Sequence, residues 1–121
     1  MIKEERLISK IEDDVRSAGQ TFLGLNMEDL LKRISELEDR FEKNKLIEEY
    51  YKNQKGTYDR EIGGVRTRVN SAIRIIKADK VIYALSLIDG SNSKVLPEAV
   101  EKAKETIRKI QNNEIILPDL E

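Results

Sequence analysis

The chain of 121 residues is long enough for one domain with its own hydrophobic core, and 39% of its residues are hydrophobic but only 5% aromatic. It has neither cysteine nor histidine, which excludes disulfides, thiolate nucleophiles and the usual zinc sites. Its 22 basic residues nearly balance its 23 acidic residues, so no overall charge attracts it to nucleic acid or to an anionic membrane, and any such binding must be local.

The first predicted helix covers residues 2–22. Apolar side chains recur there at intervals of three or four residues, which places them on one face of a helix. They are Leu7, Ile11, Val15, Ala18 and Phe22. Gly24 and Asn26 are predicted to separate this helix from the next, with Asn26 capping the new N-terminus.

Residues 1–22 also indicate where in the cell the protein is located. Charges occur throughout them, whereas a secretory signal peptide needs an apolar segment. Nowhere does the chain approach the roughly 20 apolar residues of a membrane span. We therefore expect a cytoplasmic protein with no membrane contact.

The second predicted helix covers residues 27–54. It begins with a coiled-coil-like seam of Met27, Leu30, Ile34, Leu37 and Phe41. The next apolar residues lie out of phase with this seam, so we expect the helix to turn its buried face or to be interrupted near EKNK, residues 42–45. Gly56 suits the left-handed position that follows a helix.

The third predicted helix, residues 60–89, is the longest, and its apolar face consists of isoleucine, valine, leucine and alanine. Gly63-Gly64 near its start would each weaken a helix interior by roughly 1 kcal/mol relative to alanine. A kink is most favourable at Asp79-Lys80. The pair Asp89-Gly90 is predicted to end the helix.

The fourth predicted helix covers residues 94–112. Pro97 falls in its first turn, where the missing N–H would have had no partner in any case. Asn112-Asn113 are predicted to end it. The remaining residues, 114–121, contain Pro118 and are predicted to form an extended tail or linker.

The predicted fold class is all-α, with residues 1–113 as a single domain in a four-helix antiparallel bundle. The two central helices are about ten residues longer than the outer two, so they are predicted to form a long protruding hairpin. Its apolar side chains would need cover from a second molecule. These are Leu46, Ile47, Ile62 and Val65. We therefore expect other protein subunits as partners, in a homo- or hetero-oligomer.

No motif for catalysis or for a cofactor is present in the sequence. P-loop, nucleophile-elbow and metal-ligand spacings are absent. The adjacent carboxylates Asp13-Asp14 and Glu48-Glu49 diverge by about 100° on a helix, so they do not converge on a substrate. We expect a protein without enzymatic activity, cofactor or metal.

A basic segment is the main candidate for a site, because residues 62–78 contain four cations and no carboxylate. Arg66 and Arg74 lie within about 80° of each other on a helix, whereas Arg68 points away. Two interpretations remain open. The cations form a solvated face or pair with acids of the second helix, or they form an interface with acidic protein or a nucleic-acid backbone. Nearby tyrosines could stack on bases. The candidate interface residues are Tyr50, Tyr51, Tyr58, Arg60, Arg66, Arg68, Arg74 and Lys77.

Four segments carry a resemblance to a known family: DLLKRISELEDRFEK, YDREIGGVRTRVNSAIRIIKADKVIYALSLIDG, VLPEAVEKAKETIRKI and IILPDLE. Their order resembles the helical A-domain of an archaeal GINS subunit, in which a helix with a Leu/Ile seam precedes a long helix with an R-x-x-K-I type motif. The matching positions are Arg74, Lys77, Lys80, Val81 and Ala84. In that family a proline-containing linker leads to a small β-rich B-domain, so the resemblance covers the A-domain alone.

The resemblance implies a non-catalytic scaffold of the replicative helicase assembly, which joins sister subunits through helix faces and links the helicase ring to other replication factors. A scaffold that binds other proteins is therefore the leading hypothesis. One alternative is a small helical nucleic-acid-binding subunit of a ribonucleoprotein effector, acting through residues 60–80. Another is a bundle of the immunity or antitoxin type that masks a partner protein.

Overall fold

The computed structural model describes residues 3–54, 56 and 59–118, and these residues form six α-helices and no β-strand. The helices are α1 (Lys3–Ala18), α2 (Gln20–Arg33), α3 (Arg40–Asn53), α4 (Ile62–Lys77), α5 (Val81–Ser86) and α6 (Pro97–Gln111). The predicted all-α class is confirmed. The predicted four-helix bundle with a protruding hairpin is not confirmed, because its first three helices have different boundaries.

The first break in the chain falls at Gly19, inside the predicted helix 2–22. Gly19 has a φ of 88°, in the left-handed region that glycine adopts without strain. Its N–H closes α1 onto the Val15 carbonyl (2.8 Å), and its own carbonyl accepts the first bond of α2 from the Leu23 N–H (3.0 Å). Apolar spacing does not reveal this break, because both helices bury side chains in the same core.

Gly24 and Asn26 lie inside α2, so the prediction that they separate two helices is wrong. Asn26 is buried, and its Nδ2 donates to the Phe22 carbonyl (3.1 Å). Gly24 faces α6 so closely that a Cβ atom would lie 2.3 Å from the Ala99 carbonyl oxygen. This glycine is needed for a helix contact and not for a turn.

The predicted helix 27–54 is divided by a turn at residues 34–39. Asp39 caps α3, since its carboxylate accepts hydrogen bonds from the N–H groups of Phe41 (2.8 Å) and Glu42 (3.1 Å). Asp39 and Glu42 also have the spacing of a capping box. The predicted interruption therefore exists, but it precedes residues 42–45 instead of coinciding with them.

Gln54 ends α3 with a φ of 50°, in the left-handed conformation that the sequence predicted for Gly56. Gly56 has a positive φ as well, at 78°. A Cβ atom on Gly56 would lie 3.2 Å from the Cα of Phe22, so this glycine also lets the chain pass close to α2.

The predicted helix 60–89 is divided at the place where a kink was expected. Asp79 has a φ of 57°, and the Lys80 N–H bonds back to the Ile75 carbonyl (3.2 Å), which is a Schellman motif. α4 therefore ends there, and the short α5 stops before the predicted stop at Asp89-Gly90.

The last helix agrees best with its prediction of residues 94–112. Pro97 is its first residue, and Asn113 (φ 61°) ends it with a bond from the Glu114 N–H to the Lys109 carbonyl (2.8 Å). Residues 115–118 of the tail have no regular structure, with Ile115 buried. Residues 119–121 of the predicted tail lie outside the described residues.

α4 lies between α1 and α3 and runs antiparallel to both. Two contacts along each helix show the direction. Arg74 meets Asp14 of α1 and Arg68 meets Ala18 further along it. Asn70 meets Lys43 of α3 and Arg66 meets Asn44. α2 packs most extensively on α6, and these two helices run parallel. Helices that are distant in sequence therefore make the largest contacts, α2 with α6 and α1 with α4.

The apolar side chains that were expected to need a second molecule are covered within the chain. Leu46, Ile47 and Val65 are fully buried, and Ile62 is partly buried against the same core. The short α3 folds back onto α4 instead of extending beyond the other helices, so the hydrophobic reason for an oligomer is removed. In residues 3–54, 56 and 59–118, no helix is both long enough and apolar enough to cross a membrane.

Replacing Gly24 with alanine is predicted to lower the free energy of unfolding by about 2 kcal/mol, because the new methyl group would overlap the Ala99 carbonyl. Alanine at Gly63, where a Cβ atom meets nothing within 4 Å, is predicted to raise it by up to about 1 kcal/mol. Urea denaturation followed by circular dichroism measures both. A Gly24→Ala variant as stable as the parent would contradict the close α2–α6 contact.

Candidate partner interface on α4

The outward face of α4 is a narrow strip between α1 and α3, which we call the α4 stripe. Its members recur at intervals of one, three or four residues and are exposed, except for the half-buried Asn70. They are Gly63, Arg66, Thr67, Asn70, Arg74 and Lys77. The stripe therefore has three cations and no carboxylate.

Two cations at the border of α3 and α4 are held by amide groups and not by acids. Arg66 Nη1 donates to the Asn44 side-chain oxygen (3.0 Å), and Lys43 Nζ donates to the Asn70 side-chain oxygen (3.1 Å). An amide oxygen orients a cation without neutralising its charge. Both positive charges consequently stay available to an external anion.

The other half of the stripe borders α1. Arg74 Nε donates to the Asp14 carboxylate (3.0 Å), and its Nη2 donates to Ser71 Oγ (2.9 Å). Asp14 neutralises Arg74 in part, but the Arg74 side chain is still 57% exposed. Lys77 is exposed and has no hydrogen bond or ion pair with any residue that the structure describes.

Arg68 lies on the opposite side of α4 and has a structural role. Its Nε and Nη2 donate to the two Asp59 carboxylate oxygens (2.9 and 3.3 Å), and its Nη1 donates to the Ala18 carbonyl at the end of α1 (2.8 Å). The Arg68 side chain is about three-quarters covered. Arg68 therefore joins α4, the segment before it and the α1–α2 junction.

Tyr50 is buried, so it is not free to stack on a base. Its ring packs edge-on against Phe22, with centroids 5.9 Å apart, and its hydroxyl donates to Asp29. Burial, and then the hydrogen bond to the Asp29 carboxylate, raise the pKa of Tyr50 well above its ordinary value. Tyr50 is therefore a core residue with one polar contact.

Tyr51 and Arg60 lie where the chain passes from α3 to α4. The Tyr51 hydroxyl donates to the Arg60 carbonyl (2.8 Å), so this tyrosine holds the connection in place. The Arg60 side chain is exposed. Tyr58 lies outside the described residues.

The structure thus separates the eight predicted interface residues into groups. It brings Arg66, Arg74 and Lys77 together on the α4 stripe, with Arg60 shortly before it. It places Arg68 and Tyr50 in internal contacts. The expected pairing with acids of the second helix does not occur, because the acids that bind Arg68 and Arg74 belong to the segment before α4 and to α1.

A second charged group, which the sequence analysis missed, lies between α2 and α6. The Glu28 carboxylate accepts hydrogen bonds from Lys109 (2.9 Å), Lys102 (3.3 Å) and Lys32 (3.3 Å). Burial alone would raise the pKa of Glu28, but these three lysines lower it to about 2. Only the Lys32 pair has a helical i,i+4 spacing that a sequence could reveal.

The described residues contain no group of three or more acids placed to hold a metal ion. Every buried polar side-chain atom in them that the structure describes has a hydrogen-bond partner. Any charge that could bind a partner therefore lies on the surface. Among the helices described, the α4 stripe is the longest row of outward-facing residues without an acid.

Comparisons with models of protein families, with curated proteins and with solved structures find no match to this chain. The resemblance to the GINS A-domain therefore stays a prediction from the sequence pattern.

Arg68→Ala is predicted to lower the free energy of unfolding by about 2 kcal/mol, because it leaves the part-buried Asp59 carboxylate and the Ala18 carbonyl without their donor. Arg66→Ala is the matched control, with a predicted change below about 0.5 kcal/mol, since it removes one exposed contact. Thermal and urea denaturation measure both variants. Equal losses would contradict the division into an internal and an outward arginine.

Glu28→Gln is predicted to lower the free energy of unfolding by about 1 kcal/mol at neutral pH. A carboxyl group whose pKa is lowered by folding stabilises the protein above its unfolded pKa, and this contribution is lost as the pH falls through its folded pKa. The difference between the parent and Glu28→Gln should therefore shrink between pH 4.5 and about 2.

Urea denaturation at a series of pH values measures this difference. Glu101→Gln is the control, since the Glu101 side chain is 77% exposed and pairs only with the exposed Lys104. A difference between parent and Glu28→Gln that stays constant down to pH 2 would contradict the lowered pKa.

Proposed function

We propose that this chain is a non-catalytic interaction subunit of a larger assembly and that it contacts an acidic partner through the α4 stripe. The observation that carries the proposal is the state of the cations on the stripe and beside it on α3. Arg66 and Lys43 are oriented by amide oxygens, and Lys77 has no partner among the described residues. Charges that are positioned but not neutralised are suited to an external anion.

The rest of the molecule supports a structural and not a chemical role. The core is closed by residues of the same chain, and two acids near α4, Asp59 and Asp14, are engaged with Arg68 and Arg74. A rigid helix held on both sides, by α1 and α3, presents its outward side chains in a fixed order. Such a surface needs little rearrangement when a partner binds.

The kind of assembly follows from the resemblance to the GINS A-domain. That resemblance implies a scaffold subunit within the replicative helicase assembly, and we propose this role for the chain. An immunity or antitoxin role gains no support from a particular residue. A nucleic-acid-binding role has the composition of the α4 stripe in its favour.

Photo-crosslinking tests the proposed surface. A benzophenone side chain in place of Thr67, on the stripe, is expected to give crosslinks in cells, either to a protein or to DNA, and Arg66→Gln with Lys77→Gln is expected to abolish them. The same group in place of Lys104, on the exposed side of α6, is the control and should give no such product. The proposal fails if both positions give the same products, or if the Thr67 position gives none.

A further inference from the structure

We propose that the occupant of the α4 stripe is the phosphate backbone of duplex DNA. The inference rests on the proposed function, because it names the partner of the same surface. It adds Lys43 of α3, which lies beside the stripe at Asn70. The binding is electrostatic and independent of base sequence.

The charge of this surface is the first argument. Arg66, Arg74, Lys77 and Lys43 supply four cations. Four acids lie at its edges. Asp14 pairs with Arg74, and Asp13 lines the same surface pocket. Glu61 precedes the first turn of α4, and Asp79 follows its last turn. From Arg66 to Lys77 the cations extend over about 16 Å of helix at 1.5 Å per residue. This length covers about five phosphates of one DNA strand at 3.4 Å per nucleotide along the axis.

The absence of apolar side chains on the stripe favours phosphate over a protein surface. Protein interfaces have an apolar core with aromatic residues, whereas DNA interfaces are polar and strongly positive. Apart from its charged and amide side chains, the stripe contains only Gly63 and Thr67. None of the exposed large apolar side chains of the described residues lies on α4. Phe41 is on α3, two residues before Lys43, and Leu96 and Ile116 lie further along the chain.

The positions and contacts of the tyrosines favour a DNA duplex over a single strand. Proteins that bind single strands stack bases on aromatic side chains. Tyr50 is buried, and the Tyr51 hydroxyl is bound to the Arg60 carbonyl. The stripe itself has no aromatic residue, so it can contact a backbone but has no platform for unstacked bases.

The donors on the stripe match the phosphate oxygens of a DNA backbone, which needs no hydrogen-bond acceptor from the protein. Recognition of an RNA duplex uses the 2′-hydroxyl group, which is both a donor and an acceptor. Arginine and lysine supply donors only, and the Asn70 side-chain oxygen already accepts from Lys43. The Thr67 hydroxyl donates to the Gly63 carbonyl (3.1 Å). These groups match phosphate oxygens.

Fluorescence anisotropy with a labelled duplex of about 20 base pairs tests the inference, with salt varied upward from about 50 mM. Three or four phosphate contacts predict that log K falls against log salt with a slope of about −3. The double variant Arg66→Gln, Lys77→Gln should bind at least about tenfold more weakly at low salt, with a slope smaller in magnitude by about 2. Circular dichroism checks that this double variant and the control variant described next keep their helices.

The control is Lys94→Gln with Lys104→Gln, which removes the same charge from exposed positions near and on α6. It should leave the affinity and the slope unchanged. The inference is overturned by an absence of binding at about 50 mM salt, by an equal loss in the control, or by tighter binding to a duplex RNA of the same length. A Thr67 crosslink to a protein, combined with no DNA binding, would overturn this inference while the proposed function stands.

Discussion

The contact between Arg68, Asp59 and Ala18 is the one on which the arrangement of α1, α2 and α4 depends. Arg68 binds both oxygens of the Asp59 carboxylate and the carbonyl that ends α1. The guanidinium group can reach that carbonyl only because Gly19 has no side chain, since a Cβ atom there would lie 2.5 Å from Arg68 Nη1. One cation therefore fixes α1 and α4 relative to each other and sets the direction in which α2 leaves.

The position of Arg68 also decides what α4 presents to the outside. Because Arg68 faces α1, the cations of the α4 stripe are Arg66, Arg74 and Lys77. Contacts with α1 and α3 hold α4 in this orientation. The arginines of one helix thus divide by their partners. Arg68 is bound by a carboxylate in a largely covered site and stabilises the fold. Arg66 is bound by an amide oxygen, which does not neutralise its positive charge.

The elements that were predicted well are those whose signals are local. Pro97 and Asn113 define α6, because a missing N–H and a left-handed residue act within one turn of the chain. The end of α4 at Asp79 was also predicted as a kink. Gly19 and Asp39 were missed because the apolar spacing continues across them, and two short helices that share a core can keep the phase of one long helix.

The sequence by itself determined the all-α class, the apolar face of each helix and the acid-free composition of residues 62–78, since helical geometry assigns each side chain to a face from its position alone. The tertiary structure decided which face meets which helix. Arg74 pairs with an acid 60 positions away, and Lys109 with one 81 positions away. No spacing within a helix encodes such partners, because they depend on how the whole core packs. Helical spacing already separated Arg68 from Arg66 and Arg74, but only the fold showed that Arg68 is the internal one and that the other two face outward.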